Sequence, residues 1–184
     1  MRNLIYSINI SIDGCLDHTG MLPTDEIHEF FTQLIRDAGL LVYGRITYEL
    51  MVPFWPDIAK NHSMSKTSND FADAFDAVDK VVFSKSLQKV EDKKSRIVRT
   101  DLKEEILRLK QEPGKDMLLG GVDLPSQLIA LGLVDEYIFV VHPVIAGGGR
   151  RLFEAISLPE RPQLKLVDSK ILSSGHVANR YVKR

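Results

Sequence analysis

The chain opens on an alternation. Over residues 3–13, Leu4, Tyr6, Ile8, Ile10 and Ile12 take one side. Asn3, Ser7, Asn9, Ser11 and Asp13 take most of the other, with Ile5 the exception. A period of two over this length predicts a β-strand. Its polar side is either solvated or lines a ligand site near Ser11 and Asp13. Asp13-Gly14 ends the strand, and residues 17–20 predict a turn. The period then changes. Thr24 is a fair N-cap, and Phe30, Phe31, Leu34 and Ile35 form an apolar stripe, so 25–37 reads as a helix. Short apolar runs predict strands at 40–43, 80–83, 96–98, 117–119 and 137–141. Helical spacing recurs in 47–51, at Leu102, Ile106 and Leu109, and at Leu124, Leu128 and Leu131, where Gly132 is a stop signal. Phe71 to Phe75 predicts a short helix. Residues 52–70 contain Pro53 and Pro56 and predict a loop. Residues 164–172 and 177–182 flank Ser173-Ser174-Gly175 and predict an antiparallel hairpin.

The predicted order is β-α-β-α-α-β-β-α-β-α-β-β-β. Alternation through residue 131 demands an α/β fold with a mainly parallel sheet and helices on both faces; the terminal hairpin adds an antiparallel edge. No linker or repeat divides the 184 residues, which predicts one domain over 1–184. The formal net charge of −1 leaves no electrostatic footprint for nucleic acid or an anionic membrane. No apolar run approaches the ~20 residues a membrane span needs. The first residues lack a signal-peptide h-region, and the single cysteine, Cys15, excludes an intrachain disulfide, so a cytoplasmic location is expected. His18, His28, His62, His142 and His176 show no metal-ligand spacing, and no metal site is predicted.

The candidate chemistry gathers at strand ends. The 40–43 strand closes on Gly44-Arg45-Ile46-Thr47, where Gly44 permits close approach, Arg45 offers a fork of donors and Thr47 can donate to a phosphate oxygen. Thr47 is equally a good cap and Arg45 equally a solvated surface cation. Ser84-Lys85-Ser86 follows the 80–83 strand, and Arg99 follows 96–98. Gly120-Gly121 follows the run 117–119 and precedes a helix, an arrangement that presents free backbone N–H groups to an anion. Open α/β sheets bind ligands at this end of their strands.

Four motifs carry a resemblance: Ser11-Ile12-Asp13-Gly14, Gly44-Arg45-Ile46-Thr47-Tyr48-Glu49, Gly120-Gly121, and the run GLVDEYIFVVHPVIAGGGRRLF from Gly132 to Phe153. KVVFSKSL at 80–87 adds to them. In this order they resemble the dihydrofolate reductase-like superfamily, and within it the C-terminal reductase domain of the bifunctional riboflavin-biosynthesis deaminase–reductase. The resemblance implies a dihydrofolate reductase-like three-layer sandwich. It implies NADPH as cofactor, with Arg45 at the 2′-phosphate end and Thr47 on the pyrophosphate. Ser84, Lys85 and Arg99 then meet the adenosine phosphate; Gly44, Gly120, Gly121 and the N–H groups of Val122 and Asp123 complete the cradle. It further implies hydride transfer to a small pterin-like or ribosylaminopyrimidine-like heterocycle, and a homodimer. Asp13 and Glu29 are the acidic candidates for a proton donor, Asp13 serving equally well as a cap of the turn at Gly14. Dihydrofolate reduction and a non-catalytic nucleotide-binding domain are the alternatives. Arg150-Arg151 is either a phosphate contact or surface.

Overall fold

The computed structural model describes residues 1–16, 20, 21, 23–154 and 156–184. Most of the predicted turn at 17–20, and His18 with it, lies outside the described residues. The elements are β1 (Leu4–Ser11), α1 (Asp25–Asp37), β2 (Leu40–Gly44), α2 (Arg45–Met51), α3 (Phe54–Asn61), α4 (Lys66–Ala77), β3 (Lys80–Phe83), β4 (Ser95–Val98), α5 (Leu102–Gln111), β5 (Met117–Leu119), α6 (Asp123–Ala130), β6 (Glu136–His142), β7 (Leu164–Ile171) and β8 (Val177–Lys183).

The strands form one sheet in the order β4-β3-β2-β5-β1-β6-β8-β7. Every pair from β4 to β6 is parallel; β6–β8 and β7–β8 are antiparallel. Strand alternation sorts the core into two layers. Leu4, Tyr6, Leu40, Val42, Met117 and Leu119 pack with Ile106 of α5 and Leu124 and Leu128 of α6. Leu41, Tyr43, Val82 and Leu118 pack on the other face with Ile35 of α1, Tyr48 of α2 and Phe71 and Phe75 of α4. This is the three-layer sandwich expected, each fully buried aliphatic or aromatic side chain contributing roughly 1.5–3 kcal/mol. β5 has only three residues, all buried, because it lies in mid-sheet with both faces covered.

One expectation fails. Residues 52–70 hold a full helix, α3, and the start of α4. Pro53 is the N-cap of α3 and Pro56 sits in its first turn. Neither position needs an intrahelical N–H, so the prolines start this helix rather than forbid it. α4 begins earlier than its apolar pair suggests, because Ser65 caps it by accepting from the N–H of Ser68. The strand at 137–141 belongs to β6, which lies between β1 and β8 and is core rather than free interface. The exposed edge is β7, with Leu166, Val167 and Ile171 in solvent.

Candidate functional site

Parallel strands β1, β2, β3 and β5 end on the same side of the sheet, and a cleft of about 1130 Å³ opens across their C-terminal ends. Gly44, Arg45, Thr47, Ser84, Lys85, Arg99, Gly120, Gly121, Val122 and Asp123 all line it. The fold therefore joins four separate sequence segments into one wall.

The glycine pair forms the tightest part of that wall. Gly121 has φ +97°, and a Cβ there would meet Thr47 Oγ1 at 2.3 Å. A Cβ at Gly120 would meet the Tyr43 ring at 2.8 Å. Tyr6 holds the turn from below, its hydroxyl donating to the Gly121 carbonyl at 3.0 Å. Burial raises the Tyr6 pKa far above the ordinary tyrosine range, so it remains a donor. α6 starts from Val122 with no side-chain cap, whereas α1, α4 and α5 are capped by Thr24, Ser65 and Asp101. The first N–H groups of α6 thus keep their donors for a ligand.

The cations differ in their freedom. Arg45 pairs with Glu49 at 2.8 Å, but both groups are exposed, and such a pair is worth about 0–1 kcal/mol and exchanges readily for a ligand anion. Arg99 donates to the carbonyls of Ser84 and Leu87 at 3.2 and 2.7 Å. It shapes the 84–87 turn with part of its fork. Ser84 Oγ accepts from the N–H groups of Ser86 and Leu87, which leaves its own proton to donate outward. Arg150 also lines the cleft and pairs with Asp123 at 2.6 Å, so the carboxylate beside the α6 N-terminus is neutralised. Its neighbour Arg151 instead turns to Asp13.

The other end of the cleft is apolar and aromatic. Ile27, Phe31 and Ile35 of α1 face Phe54 and Trp55 of α3 and Phe71 of α4. His28 lies among them, edge-on to Trp55 at 6.1 Å and 5.9 Å from the Phe71 ring, with Nδ1 at 3.4 Å from Ser68 Oγ. Its pKa is lowered by desolvation, opposed by the charge of Asp25. Ser7 and Asn9 of β1 supply polar groups here. Among the described residues Ser7 Oγ is the only buried side-chain polar atom with no hydrogen-bond partner.

The two carboxylates expected to donate a proton do not line the cleft. Asp13 accepts from Ser11 Oγ at 2.6 Å and from the N–H groups of Ala146 and Gly147 at 2.9 Å each. These bonds, Ser11 foremost, hold it well below the usual carboxylate range. Asp13 thereby fixes the glycine turn at 147–149. Glu29 is exposed on α1, and Glu26 accepts from Ser173 and Ser174 in the β7–β8 turn. A proton donor must stand within hydrogen-bond reach of the reacting atoms, and none of the three stands in the cleft. His28, which does line the cleft, lies three before Phe31 and seven before Ile35, on the same helical face.

Among the described residues no group of three or more His, Cys, Asp or Glu side chains is placed to hold a metal ion. Among them, too, no helix is long and apolar enough to cross a membrane. The family model for the RibD C-terminal domain matches residues 2–178. A curated relative, the uncharacterized protein YyaP of Bacillus subtilis, is 32% identical over 183 residues, covering 96% of this chain and 92% of its own. Two solved structures share the fold. The diaminohydroxyphosphoribosylaminopyrimidine deaminase/5-amino-6-(5-phosphoribosylamino)uracil reductase of Thermotoga maritima has a TM-score of 0.68 at 16% identity, over 100% of this chain and 57% of that one. The dihydrofolate reductase of Enterococcus faecalis, complexed with NADP(H), has a TM-score of 0.60 at 15% identity, over 99% and 96%.

Proposed function

The chain belongs to the RibD C-terminal domain family, and from that premise we propose that it is an NADPH-dependent reductase of a small, planar nitrogen heterocycle. One observation carries the reading: ten residues from four segments line a single cleft around an uncapped helix N-terminus and a glycine pair that admits no side chain. NADPH supplies the hydride; the chain supplies orientation, charge and dryness. In this reading Gly120, Gly121 and the N–H groups of Val122 and Asp123 hold the pyrophosphate, with Thr47 beside them. Arg45, Ser84, Lys85 and Arg99 meet the 2′-phosphate and adenosine end, which favours NADPH over NADH.

The heterocycle lies between the aromatic walls, against Phe31, Trp55 and Phe71, with Ser7, Asn9 and His28 as its polar contacts. Among the described residues no carboxylate lines this end. A substrate bound here is uncharged on the face it presents, which argues against a protonated pterin held by an acid and favours an aminopyrimidine-like ring. The proton comes from water, since Asp13 and Glu29 lie outside the cleft. A second copy of the chain is the partner that the open, apolar edge of β7 fits, and the composition suits a cytoplasmic setting.

Trp55 lines the cleft and is the only tryptophan, so its emission reports occupancy directly. Titration with NADPH and with NADH, checked by calorimetry, tests the reading. Saturable binding that prefers NADPH supports it; no saturable change with either cofactor sinks it. Turnover of the riboflavin aminopyrimidine but not dihydrofolate is the expected substrate result.

A further inference from the structure

Behind Asn9 runs a buried chain of hydrogen bonds that the reductase reading does not use. Asn9 Oδ1 lies 2.9 Å from His142 Nε2, and His142 Nδ1 lies 3.0 Å from His176 Nε2. His176 Nδ1 lies 2.9 Å from Ser174 Oγ, and Ser174 Oγ lies 3.0 Å from Glu26 Oε2. The two imidazoles are 3% and 5% exposed, so neither has water as a substitute partner. Their rings meet edge to face at 4.3 Å. The chain begins at the protein surface on α1 and ends at the substrate end of the cleft.

Donor counting along it leaves two states. Glu26 accepts from the Ser173 and Ser174 hydroxyls and from both their backbone N–H groups, which lower its pKa to about 2. It is therefore an acceptor only, and the Ser174 hydroxyl proton points at it. Ser174 Oγ must then accept from His176 Nδ1–H. With both imidazoles neutral, His176 Nε2 accepts from His142 Nδ1–H, His142 Nε2 is left as an acceptor, and the NH2 of Asn9 must fill it. The oxygen of Asn9 then faces the cleft. With one more proton, His176 donates at both nitrogens, His142 Nε2–H donates to Asn9 Oδ1, and the NH2 faces the cleft.

Other charges do not intervene. α1 presents Glu26 through Ser174, β1 presents the uncharged Asn9, β6 presents His142, and the turn before β8 presents His176. Among the described residues no other charged side chain bonds to the pair. Burial, and then the charge of its neighbour, lower the His142 pKa to about 4, which disfavours an added proton on its own ring.

We propose that Asn9 is a specificity-determining residue of the cleft and that His142 and His176 are positioning residues whose shared proton decides whether Asn9 offers a donor or an acceptor to the substrate. Ser7 independently marks this spot as a ligand surface: two residues before Asn9 on the same strand face, its hydroxyl is buried, in the cleft, and unpartnered. The ligand class is a heterocycle with an amide-like edge, whose own donor and acceptor lie side by side. Only the ligand class rests on the reductase reading; the coupling of Asn9 to the pair stands without it.

The test needs no cofactor. Long-range proton–nitrogen spectra of 15N-labelled protein report imidazole tautomers from about pH 5 to about pH 9. His142→Gln and His176→Gln variants assign the signals. The expected result is one step in which His142 passes from Nε2–H to Nδ1–H as pH rises, with the Asn9 side-chain NH2 signals moving in the same step. A single His142 tautomer throughout, or Asn9 signals that stay put, overturns the coupling. A second arm measures 6-aminouracil binding by calorimetry across that step, with and without Asn9→Leu. Affinity that changes in the step and falls by roughly tenfold or more in the variant supports the specificity role. Absent, pH-independent or unaltered binding overturns that role. The NADPH titration is separate, so failure of the reductase reading shows there and nowhere else. Should Asn9→Leu not fold, the tautomer step in the unmodified protein still decides the coupling.

Discussion

The two ends of the cleft are built on different principles. The end reached by Arg45, Lys85 and Arg99 is made largely of backbone: a glycine pair and an uncapped helix start, with the three cations around them. The end walled by Phe31, Trp55 and Phe71 is made of side chains; His28 lines it and His142 lies behind Asn9, and burial pushes down the pKa of both. One end is rigid. The other, on the proposed coupling of Asn9 to the two histidines, changes its polarity with pH. A shared cofactor needs the first kind of surface; a particular substrate needs the second.

The sharpest way to break this contrast is at the glycine pair. Gly121→Ala places a methyl at 2.3 Å from Thr47 Oγ1 on a residue at φ +97°. The combined clash and strain, on the order of 3 kcal/mol, is expected to lower NADPH affinity by at least about 100-fold and to lower Tm by several degrees. Adding Thr47→Ala removes the clash but not the strain, and restores only part of the loss. Arg45→Ala comes next. Loss of a charged hydrogen-bonding fork is expected to weaken NADPH by about 10- to 100-fold with NADH nearly unchanged. Equal loss of both cofactors would remove the 2′-phosphate role.

Acid acts on the other end. His142 has an ordinary pKa of 6.5 when unfolded and about 4 when folded. Between those values the unfolded chain binds the proton that the folded one refuses. Stability is therefore full above about pH 6.5 and is lost as pH falls toward 4, by on the order of 1–2 kcal/mol or about 3–6 °C in Tm. Thermal unfolding at pH 7 and pH 4.5 measures it, and the part due to this residue vanishes in His142→Gln. The smallest effect is expected of His28→Phe, which keeps the aromatic wall and removes both imidazole nitrogens from it. It weakens 6-aminouracil by a factor of about three to five and leaves NADPH within about twofold. A comparable loss of NADPH would show that the two ends are not separable.

The glycine end of the cleft was legible because its chemistry is local in sequence. Gly-Arg-x-Thr and Gly-Gly announce themselves beside predicted strands, and the fold only has to bring the strand ends together. The aromatic end was not. His28 hides in a helix whose apolar stripe was counted from Phe30 onward, and the wall opposite comes from α3, which Pro53 and Pro56 disguised as a loop. Asn9 and Ser7 were visible as the polar side of β1, but alternation alone leaves solvent and ligand equally open. Their place in the cleft wall depends on what packs over that face of β1, a tertiary fact. Asp13 was read from a motif correctly found; its bonds to Ala146 and Gly147 involve a loop more than a hundred residues away, beyond any local pattern.

The sheet order has a consequence for how the protein is made. β1 and β2 are not neighbours; Met117–Leu119 stands between them. As the chain leaves the ribosome, more than half of it is synthesised before the three residues that join its first two strands. Until then β1 has an unmatched edge on both sides, and the strand pairs β2–β3 and β3–β4 can assemble only as a separate fragment. Synthesis therefore passes through a window in which an apolar strand waits for its keystone, and ribosome-bound chains truncated before residue 117 are the species on which chaperones would act.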